Sequence, residues 1–249
     1  MKIAILQAGE PRFGEDTDLF LQNLTGFDQA DWFCYFWKQS AMINRQGNFH
    51  IAPRWASIDK EWAINKLTEN LSSQHKIVAF ELGDQNNIKI PYSSDLCEAG
   101  NFFKMHYSLY RADQLRQAYE KLNGPYDLIV RGRPDLALLT ECQLVDLKIF
   151  LDKNPTAIII PRGPMHGYYG HQINDVFAIG LSHTMQIYTN LINCFEEYNT
   201  KCVFHPETLL AYHCSAKGIS AFFGSFDATI RSKKTRRDGV DYIDFGRWA

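Results

Sequence analysis

Short apolar runs, each the length of one buried strand, alternate along this chain with longer stretches whose apolar residues recur at helical spacing. Lys2–Gln7, Asp31–Trp37, Lys76–Leu82, Tyr126–Val130, Ala157–Ile160, Ile173–Ile179 and Ile219–Phe223 read as strands. Glu15–Leu24, Ile58–Ser73, Asn101–Leu122, Glu141–Leu151, Ser182–Tyr198 and Pro206–Lys217 read as helices. In Asn101–Leu122 the apolar stripe is Leu109, Leu115, Ala118, Tyr119 and Leu122, and Asn123-Gly124-Pro125 stops the helix. Ser182 is placed as an N-cap. Pro206 opens the last helix and Gly218 lies past its end. Such alternation predicts an α/β fold with a mainly parallel central sheet flanked by helices. In sheets of this kind ligands bind beyond the carboxyl ends of the strands. The loops after Leu6, Leu82, Val130 and Ile160 are therefore where chemistry is sought.

At 249 residues the chain reads as a single domain over 1–249, with a basic C-terminal extension from about residue 228. A chain of this size, 45% hydrophobic, builds a full core without disulfide or metal staples. The formal net charge of −2 argues against whole-surface nucleic-acid binding, and no nucleic-acid partner is expected. Arg231, Lys233, Lys234, Arg236 and Arg237 form a local basic string, offset in part by Asp238, Asp241 and Asp244. The apolar run Ile3–Leu6 is too short for a signal-peptide core, and no stretch approaches the roughly 18 apolar residues of a membrane span. The six cysteines contain no C-x-x-C pair and sit mostly in apolar runs, as expected of reduced, buried thiols. Together these features predict a cytoplasmic protein.

Four constellations carry possible chemistry. In Tyr126–Leu136 an apolar strand delivers Arg131, Arg133 and Asp135 to the sheet edge. The arginines suit an anionic group, and Asp135 suits a divalent metal or a sugar hydroxyl. The plainer alternative is an Arg–Asp pair that only orders the turn. Asn174 and Asp175 open a strand next to the Gly/His/Tyr-rich loop 162–172 and suit hydroxyl recognition or base work; a local Asx turn is the alternative. Glu207, after His205-Pro206, is a possible general base or a charge complementing its helix dipole. After the first strand, Gly9 allows close backbone approach and Arg12 can reach a diphosphate. His205 and His213 lie eight apart and His166 and His171 five apart, matching no familiar zinc spacing. Neither G-x-G-x-x-G, a Walker motif nor G-x-S-x-G occurs. Tyr168 and Tyr169 are aromatic surfaces on which a sugar ring could stack.

K-I-A-I-L-x-x-G-x-P-R-F, D-W-F-C-Y-F-W, Y-D-L-I-V-R-x-R-P-D-L, I-N-D-V-F-A-I-G and H-P-E-T-L-L occur here in that order over residues 1–215. This order resembles polysaccharide glycosyltransferases of the GT-A type from bacteria and viruses, of the capsule and lipopolysaccharide kind. The resemblance implies a Rossmann-like, GT-A-like sheet and transfer of a sugar from a nucleotide-sugar donor to a glycan acceptor. It matches the donor site at Arg133 and Asp135 and the acceptor side at Asn174; from their own chemistry Gly9, Arg12 and Arg131 join the donor residues, and Tyr168 and Tyr169 the acceptor. Asp175 or Glu207 would be the catalytic base. The family's D-x-D, which holds a metal on the diphosphate, is replaced by Arg133-Pro134-Asp135. Either Asp135 alone holds a divalent metal, Mn or Mg, or the arginines themselves neutralise the diphosphate. Both stereochemical courses are compatible with these residues. A nucleotidyl- or sulfo-transferase and a non-catalytic nucleotide- or glycan-binding module are the competing readings.

Overall fold

In the computed structural model, residues 1–11, 15–38, 59–69, 71–88, 99–162, 173–198, 200–236 and 239–244 are described. The strands are β1 (Lys2–Gly9), β2 (Leu24–Thr25), β3 (Gln29–Trp37), β4 (His75–Gly83), β5 (Leu128–Gly132), β6 (Leu136–Leu138), β7 (Cys142–Gln143), β8 (Ala157–Arg162), β9 (Ala178–Gly180), β10 (Ser220–Arg236) and β11 (Gly239–Asp244). The helices are α1 (Glu15–Asn23), α2 (Lys60–Thr68), α3 (Ala99–Asn123), α4 (Leu144–Lys153), α5 (Ser182–Thr189), α6 (Phe195–Tyr198) and α7 (Pro206–Ala216).

The main sheet runs β11-β10-β8-β9-β5-β1-β3-β4, with β6 paired to β10. β5, β1, β3 and β4 are mutually parallel. The fold is thus α/β with a mainly parallel sheet between helices. Its central strands are apolar on both faces because both faces are covered. Period-two alternation sends Phe33, Tyr35 and Trp37 of β3 into a core shared with α3, α5, α6 and α7. Trp32, Cys34 and Phe36 go to the opposite core, beside Phe20 of α1, Leu67 of α2 and Leu144 of α4.

Several local expectations change. β9 covers only Ala178–Gly180, and it runs antiparallel to both β5 and β8. Asn174 accepts from the Val176 backbone N–H at 2.9 Å, so the start of the expected strand is an Asx turn. Leu181 holds the cap position of α5 with Ser182 as the first helical residue, its hydroxyl donating to Glu120 at 2.8 Å. The expected helix to Tyr198 is split by a 3-10 segment at Asn190–Cys194. In α3, Ala118 is exposed and Leu122 is 87% exposed, whereas Asp113 and Arg116 are buried. Leu109, Leu115 and Tyr119 of the expected stripe do pack into the core, and a polar network lies beside them. Arg116 donates to Asp113 and Ser182, both at 2.6 Å, and to Glu120, while Thr189 donates to Asp113 at 2.8 Å.

α7 begins with Pro206 in its first turn and ends at Ala216, two residues before Gly218, whose φ of +72° favours glycine. Residue 228 falls within β10. β10 and β11 place Arg231 opposite Asp244 and Lys234 opposite Asp241. Cys34, Cys142 and Cys214 are buried free thiols, and Cys194 and Cys202 are partly buried and free. Burial pushes the Cys142 and Cys214 thiols up to about 12. Among the described residues no helix is long and apolar enough to cross a membrane.

Candidate active site

Parallel pairing of β1 with β5 brings Leu6 opposite Arg131 and Gln7 opposite Gly132. The two strands therefore end at one edge. β1 leaves the sheet through Gly9, whose φ of +115° places it in glycine's own region. Because β9 is antiparallel, with Arg131 opposite Ala178, its leading segment Ile173–Phe177 lies at that same edge. The Ile173 backbone N–H donates to the Glu207 carbonyl at 3.1 Å, which fixes the start of α7 there as well. The topology thus gathers Gly9, Arg131, Arg133, Asp135, Asn174, Asp175 and Glu207. Arg12, Tyr168, Tyr169, His166, His171 and Cys97 lie outside the described residues.

Arg133 and Asp135 form a two-pronged pair, Nε to Oδ1 and Nη2 to Oδ2, each 2.9 Å. The Thr17 hydroxyl donates to the Pro134 carbonyl at 3.0 Å and ties this turn to α1. Gly132 permits the packing: a Cβ there would lie 3.0 Å from Phe20 Cε2. Burial pushes the Arg133 guanidinium down, but the negative charges of Asp135 first, then Asp175 and Glu10, outweigh it and hold the group above its usual value.

Arg131 projects on the same face of β5 as Ile129, toward α3, and is 2% exposed. Among the described residues its Nε and Nη1 have no hydrogen-bond partner. Burial pushes this guanidinium down, opposed by Tyr188 and Asp175. It remains cationic, as guanidinium does in proteins.

Glu207 Oε2 lies 3.1 Å from His205 Nδ1. Burial first, and the charge of Asp175 second, push the Glu207 carboxyl up to about 7. Asn174 is committed to its turn through Oδ1.

The divalent cation expected at Asp135 would have to share that carboxylate with Arg133. Both carboxylate oxygens accept from Arg133, and among the described residues no group of three His, Cys, Asp or Glu is gathered in a way that suits a metal.

Three polar side chains at this site escape sequence reasoning. Among the described residues, His106 of α3 is 1% exposed with neither ring nitrogen hydrogen-bonded; Tyr188 of α5 is fully buried with its hydroxyl unpartnered; Thr208 of α7 is 7% exposed, its hydroxyl likewise unpartnered. Only the i, i+4 spacing of Phe102 and His106 could have signalled that His106 faces inward.

The arrangement offers an arginine fork at the edge, a deeper unsatisfied arginine, and a carboxyl that exchanges its proton near neutrality. No family model matches the chain, and no curated protein does. Among solved structures it is similar to apo mouse xyloside xylosyltransferase 1, at 12% identity and a TM-score of 0.46, over 90% of this chain and 84% of that one.

Proposed function

We propose that the protein is a cytoplasmic glycosyltransferase that moves a sugar from a nucleotide-sugar donor to a glycan acceptor. The ordered motifs over residues 1–215 favour this reading. The single observation that carries it is the buried Arg131 with open Nε and Nη1 at a sheet edge shared with Asp175 and Glu207.

Glycosyl transfer develops negative charge on the leaving diphosphate and positive charge on the sugar. Arg133 is held at the edge by Asp135, uses two of its five N–H groups there, and keeps the others for phosphate oxygens. Arg131, deeper, faces the transferred sugar. Glu207 is the general base for the acceptor hydroxyl: a base works best with a pKa near the working pH, and Glu207 sits at about 7. Asp175 supplies part of the charge that holds it there. Tyr168 and Tyr169 are assigned to the acceptor. Arg12 and Gly9 are assigned to the donor, and no step requires a metal.

Thermal unfolding with UDP-, GDP-, CDP- and dTDP-sugars, each with and without manganese, tests the reading. A true donor at about 100 times its dissociation constant adds roughly 2.7 kcal/mol. No shift with any of them overturns the assignment.

A further inference from the structure

The turn that opens α7 holds two titratable side chains in contact. His205 and Glu207 flank Pro206, and Nδ1 of the histidine lies 3.1 Å from Oε2 of the glutamate. Both atoms are closed to solvent, although the two side chains as wholes are 21% and 28% exposed. The atoms touch without the alignment of a hydrogen bond. The last torsion of a glutamate is soft, so a turn of the carboxyl group supplies that alignment at little cost.

The backbone pins both residues before their side chains meet. Proline fixes its own φ, and His205 is extended at φ −136° and ψ 138°. The His205 N–H donates to the Val203 carbonyl at 2.8 Å, and the His205 carbonyl accepts from the Leu209 N–H at 2.9 Å. The Glu207 carbonyl accepts from the Ile173 N–H at 3.1 Å, which ties it to the segment carrying Asp175.

Charge gives the contact its direction. Burial and, after it, the carboxyl of Asp175 disfavour the charged form of Glu207, and its own backbone N–H offsets them only in part. Among the described residues the basic side chain in ion-pair range of Glu207 is His205. Imidazole gives or takes a proton near neutrality. A neutral ring can donate to the carboxylate, and a protonated one also offsets its charge.

We infer that His205 is a positioning residue for Glu207: it holds the carboxylate and shares a proton with it, so that the two act as one base. The inference rests on the glycosyltransferase reading for the origin of that proton. In the transfer the acceptor O–H bond breaks, its oxygen bonds to the sugar carbon as the bond to the diphosphate breaks, and the proton passes to Glu207. The pair itself is testable with no sugar present.

The test is an NMR titration of the full-length protein that reads the Glu207 carboxyl carbon and the His205 ring, each assigned by its loss in the corresponding variant. In wild type the two signals should share their titration steps, because the protons of a coupled pair belong to both groups. His205→Gln and Glu207→Gln stay polar but neither takes up nor releases a proton. His205→Gln should raise the pH at which Glu207 ionises by about 0.5–1, threefold to tenfold in its acidity constant, because the anion loses its partner. Glu207→Gln should lower the His205 midpoint by the same amount, since coupling between two sites is reciprocal. A contact of purely structural value leaves both midpoints in place. A midpoint that stays put in either variant, or independent steps in wild type, overturns the inference. Binding of UDP-, GDP-, CDP- and dTDP-sugars is measured in parallel. If none binds while the coupling holds, the glycosyltransferase reading falls and the pair stands; if one binds and the coupling is absent, the pair alone falls.

Discussion

Arg133 and Asp135 face each other across Pro134 with two parallel hydrogen bonds of 2.9 Å. Each carboxylate oxygen of Asp135 thus accepts from Arg133, and in the proposed reading the arginines rather than a metal neutralise the diphosphate. Binding of the nucleotide-sugar should therefore be unchanged, within a factor of about two, by excess EDTA, while Asp135→Ala, which frees the guanidinium, should lower stability by about 2 kcal/mol. Calorimetry and urea denaturation check the two effects.

Arg116 sits fully buried between Asp113 and Glu120 and also reaches Ser182. Removing it strands the fully buried Asp113 and leaves the part-buried Glu120 without its cation. Arg116→Ala should cost about 3–5 kcal/mol, read as a fall in the urea midpoint.

Acid stability follows from histidines buried in the neutral form. Burial holds His106 down to about 3 and His75 to about 4. A folded pKa below the unfolded value of about 6.5 gives stability that is complete above pH 6.5 and lost as the pH falls toward 3–4, because the unfolded chain binds the proton first. For His106 the loss by pH 4.5 amounts to about 3 kcal/mol. His106→Phe should flatten the pH dependence of the urea midpoint between pH 6.5 and 4.5.

The base assignment fixes a pH profile. Turnover should rise through an apparent pKa near 7 as Glu207 loses its proton. Glu207→Gln should lower kcat by about 100-fold or more. Asp175→Asn removes the neighbouring charge that raises Glu207, so the acidic limb should move to lower pH. An unmoved limb in Asp175→Asn would show that the two carboxyls do not interact.

Much of this arrangement is legible in the sequence because it is written in local terms. The apolar runs of β1, β3 and β5 have the length of buried strands, and the Arg-Gly-Arg-Pro-Asp that closes β5 brings Arg133 and Asp135 to the sheet's end, although Arg131 itself stays buried within the strand. What stays hidden depends on tertiary partners. Asp113 and Arg116 look like surface residues of a helix until Thr189 and Ser182 come to meet them. His106 and Tyr188 are single residues in unremarkable helices, and only the packing of α3 and α5 over β5 sets them near Arg131. The long β10 is broken in sequence by Gly224 and the charged run beyond Ile230, so its pairing with β8, β6 and β11 is not visible from composition.

Calorimetric titration of Arg131→Met with the nucleotide-sugar that stabilises the wild-type protein tests the central claim most directly. Methionine fills the buried volume without the charge, so the fold should be kept or made more stable. The account predicts a dissociation constant at least about 10-fold weaker at an undiminished melting temperature. An unchanged dissociation constant would contradict it.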